Sequence, residues 1–334
     1  MNLGNLSNHF ECSLAGLLNM VGDSAHAVGT RAFLVGGTVR DLFLAFVGRS
    51  AVSGEDVDVM FESHLDEALV QLRLSLEKAV PTELFDSLKW RSYPEFLTAK
   101  VSLAPGVSCA ALANELDFSQ ARRETYPSPG SHPLIKPGDL EADMLRRDFS
   151  INAICVSLSG ESKGEVLDLC SGLGDLEKGI LRVLHAKSFM DDPSRLLRAV
   201  RYKVRFGFCL EEETEDLFSC ALRERYLDLL PKARLFFELK KAFSESCWPA
   251  TVRELYRLGL LRQCLPSLDR CRPTDIDSCV DEIEEDACGL RDWRFVVAGL
   301  WRLANSSSFE RDLKHYGLSK KAIDSILVLR GAKQ

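Results

Sequence analysis

Two aspartates separated by a single residue, Asp56 and Asp58, are the side chains best suited to carry chemistry. They alternate with Val57 and Val59, so on a β-strand both carboxylates lie on one face and both valines on the other. Carboxylate oxygens at this spacing suit divalent cations. Mg²⁺ in particular combines such hard ligands with substrate phosphate in its coordination shell. The pattern predicts a strand with a metal-binding face.

The stretch upstream of these aspartates predicts a strand, a glycine turn and a helix. Residues 33–35 form a short apolar run typical of a buried strand, Gly36 and Gly37 interrupt it, and apolar residues at helical spacing follow. Backbone N–H groups and the helix dipole at such a turn can hold phosphate. Arg40 adds a cation in the first helical turn, and Asp41 beside it can fix the arginine by pairing.

The same D-x-D spacing recurs at Asp275 and Asp277, which shows that the spacing alone is weak evidence. This second pair follows Pro273-Thr274, a combination typical of a helix start. No glycine turn lies before it. We therefore assign it no function.

A third carboxylate lies in the alternating stretch 115–121, which predicts a strand carrying Asp117. Before it, residues 64–80 have the spacing of an amphipathic helix, 81–95 is interpreted as a loop and 96–103 as a strand. A carboxylate on a strand next to the first two would complete a cluster able to hold two metal ions. The alternative is an edge-strand aspartate that faces water.

The order LVGGTVRD and then DVD resembles the signature of the class II tRNA nucleotidyltransferase and poly(A) polymerase family. That family belongs to the polymerase-β-type nucleotidyltransferases. It places its third carboxylate just before an arginine-containing stretch, here Arg122-Arg123. The resemblance implies that Asp56, Asp58 and Asp117 are catalytic, that Asp56 and Asp58 are ligands of two Mg²⁺ ions, and that the glycine turn with Arg40 positions a triphosphate.

The segment 146–153, RRDFSINA, gathers two guanidinium groups, a carboxylate and an amide among apolar residues. Its apolar spacing fits a helix, and a solvated cap on a core helix is the simpler alternative. Guanidinium groups suit triphosphate and a carboxylate suits a ribose hydroxyl. The segment is similar to the family motif RRDFTINA, which implies ribose and triphosphate contacts from Arg146, Asp148 and Asn152.

The segment 191–208, DDPSRLLRAVRYKVRFGF, predicts a helix with Asp192 as its cap and Pro193 at its first position. Apolar residues occupy one side and four arginines, including Arg195 and Arg198, the opposite side. Read simply, these arginines form an exposed face and Asp192 is only a cap. The segment resembles the family motif EDPLRILRAVRFAARFGF, apart from the aspartate at position 191.

In that motif the aspartate and arginine of D-x-x-R read the incoming base, which carries over to Asp192 and Arg195; Arg198 is assigned to the same nucleotide site. A carboxylate accepts from an exocyclic amine, and a guanidinium donates to the adjacent ring nitrogen or carbonyl. Cytosine and adenine both present an amine next to an acceptor, whereas uracil and guanine invert that order. The pair would therefore accept C and A.

The rest of the chain predicts helices. A loosely matched family motif braces a helix through Arg234 and Glu238, for which an i,i+4 ion pair is the simpler alternative. Gly172 and Gly174 form a lone G-x-G without the third glycine of a dinucleotide-binding turn. The fold implied is α+β: a small mixed sheet with helices in a catalytic head (1–155), followed by an all-helical region comprising a nucleotide-recognition neck (156–245) and a tRNA-binding body and tail (246–334).

Composition limits the classes of function. With 334 residues, 46% of them hydrophobic, the chain can form two or three domains. The net charge of −7 argues against a general polyanion binder. The first thirty residues contain no Lys or Arg, no apolar run reaches membrane-spanning length, and the cysteines show no zinc-type spacing. These features predict a cytoplasmic protein with reduced thiols and no membrane partner.

The resemblance covers residues 33–243 and implies a metal-dependent enzyme that extends tRNA 3′ ends with C and A from CTP and ATP. The helical tail would grip the acceptor arm by shape and phosphate. Alternatives within the family are CC-only, A-only and poly(A) addition; segment 81–95 is interpreted as a flexible loop that favours full CCA or A addition. Two alternatives belong to other functional classes: a catalytically silent RNA-binding relative and an NAD-binding Rossmann protein.

Overall fold

The computed structural model describes residues 12–49, 56–80, 82–103, 115–287, 292–304 and 306–331. The chain divides into two compact units. The first contains Met1–Thr125 and Pro133–His185, and the second contains Tyr126–His132 and Ala186–Gln334. In the part of the chain that the structure describes, no helix is both long enough and apolar enough to cross a membrane.

The first unit is built on a mixed seven-stranded sheet with strand order β3-β4-β5-β2-β1-β8-β9. β2 and β5 are parallel, and the other neighbours are antiparallel. The strands of this unit are β1 (Ala32–Val35), β2 (Asp56–Phe61), β3 (Leu88–Tyr93), β4 (Thr98–Leu103), β5 (Glu115–Gln120), β6 (Arg122–Thr125), β7 (Leu134–Pro137), β8 (Ile154–Ser157), β9 (Val166–Asp168) and β10 (Ile180–Leu181). β6 and β7 form a separate antiparallel pair.

Six helices accompany these strands: α1 (Cys12–Ala27), α2 (Gly37–Phe46), α3 (Leu65–Ala79), α4 (Thr82–Ser87), α5 (Leu140–Leu145) and α6 (Gly172–Lys178). The predicted strand, glycine turn and helix are observed as β1, Gly36 and α2. All four residues of β1 are buried, since β1 lies between β2 and β8 and contacts α1 and α2. α3 confirms the amphipathic helix predicted at 64–80 and buries its leucine face.

Two sequence-based expectations for this unit are wrong. Residues 82–95 are not a loop: they form α4, then β3, in which Trp90 pairs with Val101 of β4, and then the start of a 3-10 turn over Pro94–Phe96. β3 is an edge strand of the sheet, so its charged residues Lys89 and Arg91 stay exposed, and Pro81 and Pro94 on either side of it favour the loop interpretation. The RRDFSINA segment is not a helix either, because a turn, a 3-10 turn over Ser150–Asn152 and then β8 replace it.

The second unit is helical apart from the two-residue strand β11 (Cys209–Leu210) among its described residues. Its helices are α7 (Ser188–Asp191), α8 (Ser194–Phe206), α9 (Glu212–Arg223), α10 (Lys232–Ser244), α11 (Trp248–Arg257), α12 (Leu260–Cys264), α13 (Pro273–Ala287), α14 (Trp293–Arg302), α15 (Ser306–His315) and α16 (Lys320–Gly331). The second D-x-D pair lies in the first turns of α13, as its proline predicts.

The compact units and the predicted domains have different bounds. β8 crosses position 155 and, with β9, belongs to the seven-stranded sheet, so the first unit extends to His185. The α+β class, with a mixed-sheet N-terminal part and a helical C-terminal part, is confirmed. The assignment of separate functions to 1–155, 156–245 and 246–334 stays a prediction.

Candidate active site

The glycine turn lies against the predicted catalytic strand. Gly36 has φ +74° and ψ −139°, a conformation that L side chains rarely adopt. A Cβ built on it would lie 3.0 Å from Oδ2 of Asp58 and 3.6 Å from Nη1 of Arg147. The turn, a carboxylate of β2 and a guanidinium group therefore meet at one point, and only glycine leaves room for the contact.

Strand register brings the predicted carboxylates side by side. Asp58 is the direct partner of Asp117 across the parallel pair β2–β5, and Asp56 is the partner of Glu115. Partners in register lie on the same face of a sheet, with strands about 4.8 Å apart. β5 is an inner strand, so the alternative of an edge-strand Asp117 is wrong.

The donor set of this face fits a hard divalent cation, since Asp58 and Asp117 are adjacent carboxylates. Only the backbone of Asp56 is described, so its predicted ligand role concerns a side chain outside the described residues. Among the side chains that are described, no three His, Cys, Asp or Glu residues form a group arranged to hold a metal ion.

Lys100 is a member of this face that motif reading missed. It is the register partner of Asp117 in β4, and its ammonium group lies 3.2 Å from Asp117 Oδ1 and 2.9 Å from Glu115 Oε2. Burial alone would lower the pKa of Lys100, but the two carboxylates raise it above its usual value. Alternation in 96–103 predicts the strand, but nothing local in the sequence specifies which strand it pairs with.

Arg40 is buried and does not lie on the surface of the turn. Its Nε donates to Asp41 Oδ1 at 2.8 Å, which is the pairing expected from the sequence. Its Nη1 donates to Asn152 Oδ1 at 2.8 Å, and Asn152 Nδ2 donates to Asp148 Oδ1 at 2.9 Å. Four buried polar side chains, each less than 10% exposed, thus connect the glycine turn to Asp148. The triphosphate contact of Arg40 stays a prediction.

A second buried network holds the two arginines of RRDFSINA. Asp143 is fully buried and accepts from Nε of Arg146 at 2.9 Å and from Nη2 of Arg147 at 3.0 Å. Arg146 also donates to Glu124 at 3.1 Å. Burial would raise the pKa of Asp143, but the guanidinium groups of Arg147 and Arg146 hold it below its usual value. The sequence signal for Asp143 is its position three and four residues before the arginines, a spacing that brings side chains together on a helix.

In the second unit, Asp192 accepts from the first residue of a helix and from an arginine, whereas the predicted cap position itself is occupied by Pro193. Its Oδ1 accepts from the backbone N–H of Ser194 at 3.1 Å, and its Oδ2 accepts from Arg234 at 2.6 Å. The helix begins at Ser194, one residue later than predicted. Arg195 Nε lies 4.0 Å from Asp192 Oδ2, and Arg195 Nη1 donates to Ser188 at 2.5 Å.

The arginines of α8 are not simply an exposed face. Arg195 and Arg201 are only 4% and 7% exposed. Arg198 and Arg201 each lie 3.9 Å from the buried carboxylate of Glu238 on α10. Since Arg234 contacts Asp192 and Glu238 contacts these arginines, α10 braces α8, as the loosely matched motif implied.

Comparison with known proteins bears on both units. A family model described as the poly A polymerase head domain matches residues 32–182, and one described as a probable RNA and SrmB-binding site of polymerase A matches 207–272. The A-adding tRNA nucleotidyltransferase of Aquifex aeolicus is 37% identical over 227 residues, 68% of this chain and 24% of that protein. The chain spans about a quarter to a half of the length of the first such relatives.

Solved structures of CCA-adding enzymes also have a fold similar to that of this chain. A CCA-adding enzyme in its apo form II is similar with a TM-score of 0.77 and 26% identity, over 98% of this chain and 73% of that one. The CCA-adding enzyme of Thermotoga maritima complexed with tRNA is similar with a TM-score of 0.73 and 25% identity, over 98% and 72%. With two matched models, a shared fold and a glycine turn against the paired Asp58 and Asp117, the chain belongs to the family of tRNA nucleotidyltransferases and poly(A) polymerases.

Proposed function

We propose that the protein is a cytoplasmic, metal-dependent nucleotidyltransferase that adds C and A to the 3′ end of tRNA from CTP and ATP. The observation that carries the proposal is the register of Asp58 with Asp117 on the sheet face that meets the Gly36 turn. A catalytically silent relative would need none of these carboxylates. A dinucleotide-binding Rossmann protein would need the parallel strand order that this mixed sheet lacks.

In the proposed reaction, Asp56, Asp58 and Asp117 would hold two Mg²⁺ ions. Metal bound there would lower the pKa of the RNA 3′-hydroxyl and would neutralise charge on the departing pyrophosphate. The backbone N–H groups of Gly36 and Gly37, together with Arg40, position the triphosphate. Catalysis is thereby assigned to residues 1–155.

Nucleotide recognition is assigned to Arg146, Asp148 and Asn152, and in the neck (156–245) to Asp192, Arg195 and Arg198. Asp148 accepts from the ribose, and Asp192 accepts from the amine of cytosine or adenine. The Arg234 and Ser188 contacts hold Asp192 and Arg195 in fixed orientations before a base binds. A base with inverted donor and acceptor leaves a buried polar group unpaired, at a cost of about 1–3 kcal/mol.

The helical body and tail (246–334) are assigned to the acceptor arm of tRNA, which they would hold by shape and phosphate. The solved tRNA complex of a similar CCA-adding enzyme supports this partner. Poly(A) addition is disfavoured by the net charge of −7. A-only addition is the second candidate, because the relative from Aquifex aeolicus carries that name.

The test uses the purified chain with tRNA that ends at the discriminator base, at C or at CC, and supplies CTP and ATP separately. Full CCA synthesis requires C addition to the first two ends and A addition to the third. If only the CC end is extended, and only with ATP, the chain is an A-only enzyme. Extension confined to CTP establishes CC-only addition, and long A tails on unrelated RNA establish a poly(A) polymerase.

A further inference from the structure

We propose that Asp41 is a positioning residue which, through Arg40 and Asn152, sets the orientation of Asp148 and so determines selection of ribonucleotides over 2′-deoxyribonucleotides. The inference rests on the proposed function, in which Asp148 accepts from the ribose. Asp41 does not touch the nucleotide in this scheme. It acts only through the side chains that connect it to Asp148.

The Arg40 guanidinium group is held in a fixed position by Asp41. Asp41 is 5% exposed and accepts from both Nε and Nη2 of Arg40, at 2.8 and 2.7 Å. Gly37 leaves room for this arrangement, since a Cβ there would lie 3.3 Å from Arg40 Nη2, closer than ordinary contact. A planar guanidinium group held along one edge has its remaining donor directions fixed.

The orientation of the Asn152 amide is set by Arg40. An amide can be turned by 180° with little change in shape, and its partners decide which end is the donor. Because Arg40 Nη1 can only donate, it selects Oδ1 of Asn152 as its partner. The NH₂ end must then face Asp148, where it donates to Oδ1 at 2.9 Å.

The orientation of the Asp148 carboxylate is set in turn by Asn152 and by the backbone N–H of Phe149. Its Oδ1 accepts from Asn152 and from the backbone N–H of Phe149, at 2.9 and 2.8 Å. Two donors on one oxygen fix the plane of the carboxylate. Selection for a hydroxyl group depends on a well-placed partner, because a displacement of about 1 Å removes most of the benefit.

The experiment compares kcat/KM for ATP and 2′-dATP in the wild-type chain and in Asp41→Asn, which keeps the size of the side chain and removes its charge. We expect the ATP preference to fall by about tenfold, mostly because ATP becomes a poorer substrate. Arg40→Lys, which lacks the planar fork, gives the same shift. The double variant falls no further, because both residues act through one connection.

The matched control is Asp175→Asn. Asp175 is also a buried carboxylate of the first unit, 4% exposed and paired with Arg182 and Ser150. Its partner Ser150 belongs to the same segment as Asp148 and Asn152, but Asp175 itself bonds to Ser150 and Arg182 and not to Arg40, Asn152 or Asp148, so it reports the effect of losing a buried ion pair beside that segment. We expect lower stability in Asp175→Asn and an unchanged preference for ATP.

The outcomes separate the two proposals. If the wild-type chain adds no nucleotide to any tRNA end, the proposed function fails. If it adds nucleotides but Asp41→Asn slows ATP and 2′-dATP equally, Asp41 has only a structural role and the inference is overturned. Should Asp41→Asn not fold by circular dichroism, the same ratio measured in Arg40→Lys decides.

Discussion

Asp58, Asp143 and Asp277 show how surroundings determine what a carboxylate does in this chain. Asp58 touches the glycine turn and neighbours Asp117. Asp143 is fully buried between two arginines. Asp277 lies on a helix with its side chain 55% exposed and pairs with Arg253. The residue type is the same in all three, so the chemistry is set by neighbours that come from other elements.

The first prediction concerns Asp58→Asn, which retains the shape of the side chain and removes the charge. We expect kcat for nucleotide addition to fall by at least about 10³-fold, because a neutral amide is a much weaker ligand of a divalent cation than a carboxylate. Thermal unfolding should change little. Binding of Mn²⁺, followed by calorimetry, should weaken in parallel.

Asp277→Asn is the matched control for Asp58→Asn, since it alters the other D-x-D aspartate that lies on a helix. We expect wild-type activity and metal binding in this control. Equal activity of both variants would remove the β2 aspartate from the mechanism.

The second prediction concerns Gly36→Ala. The alanine must adopt φ +74°. Its Cβ would lie 3.0 Å from Asp58 Oδ2, so the carboxylate must move. We expect a loss of about 2 kcal/mol in the free energy of unfolding, measured with urea, and at least a tenfold loss of activity. Gly48→Ala is the comparison because Gly48 has φ +72° and nothing within 4 Å of its Cβ position. Gly48→Ala should lose stability and keep its activity. An inactive Gly48→Ala would contradict the explanation by the contact with Asp58.

At the scale of elements, the RRDFSINA segment is positioned by its neighbours. Asp143 of α5 accepts from both arginines and from the backbone N–H of Arg122 in β6, so one carboxylate joins a helix, a strand and the segment. Breaking a buried ion pair by removing one charge leaves the opposite charges uncompensated. The position of the arginines therefore depends on Asp143 being ionised.

The third prediction is a pH dependence. Asp143→Asn should lose about 3 kcal/mol of unfolding free energy at pH 7. The pKa of Asp143 is lowered in the folded chain from the usual 3.8, so its contribution is fully present above pH 3.8 and is lost as pH falls through the lower folded value. The difference between wild type and variant, measured with urea, should stay constant from pH 8 to 5 and shrink below 3.8. A difference that grows on acidification would mean a raised pKa.

Local pattern predicted the elements whose periodicity is undisturbed by charge. β1, α2, β2 and α3 follow directly from apolar spacing of two or 3.6 residues. β3 is missed because Pro81 and Pro94 lie on either side of it and favour a loop. The RRDFSINA helix was wrong because Asp148 accepts from the N–H of Phe149 and turns the chain there. A side-chain bond to the backbone competes with helix formation and leaves no trace in apolar spacing.

The candidate site was predictable where the residues act within one stretch. Motifs predict Gly36, Asp58 and Asp192 as site residues, and those roles stay predictions. Lys100 and the Arg40–Asn152 bond depend on strand order and on a contact across 112 residues of chain. Tertiary pairing of this kind has no local signal. Motif resemblance can indicate which residues contact substrate or metal. Only the structure shows the partners that orient those residues.

At the scale of the whole molecule, net charge limits how RNA can be held. A chain with a formal charge of −7 has little general attraction for polyanions. Affinity for the proposed tRNA partner would then come from a small number of well-placed contacts to phosphate and from shape. Such binding depends on duplex geometry and is insensitive to the order of the base pairs.

The fourth prediction follows from that balance and uses an acceptor-arm minihelix with the chain in fluorescence titrations. Changing the base pairs of the stem should alter Kd by less than about twofold, because phosphate contacts carry no sequence information. The slope of log K against log[KCl] should lie between about −2 and −5, since each duplex phosphate neutralised contributes about −0.9. Single-stranded RNA of equal length is the control and should bind at least tenfold more weakly. A slope steeper than about −8, or equal affinity for the single strand, would mean that a diffuse basic surface holds the RNA, and the assignment of the acceptor arm to the helical body would fail with it.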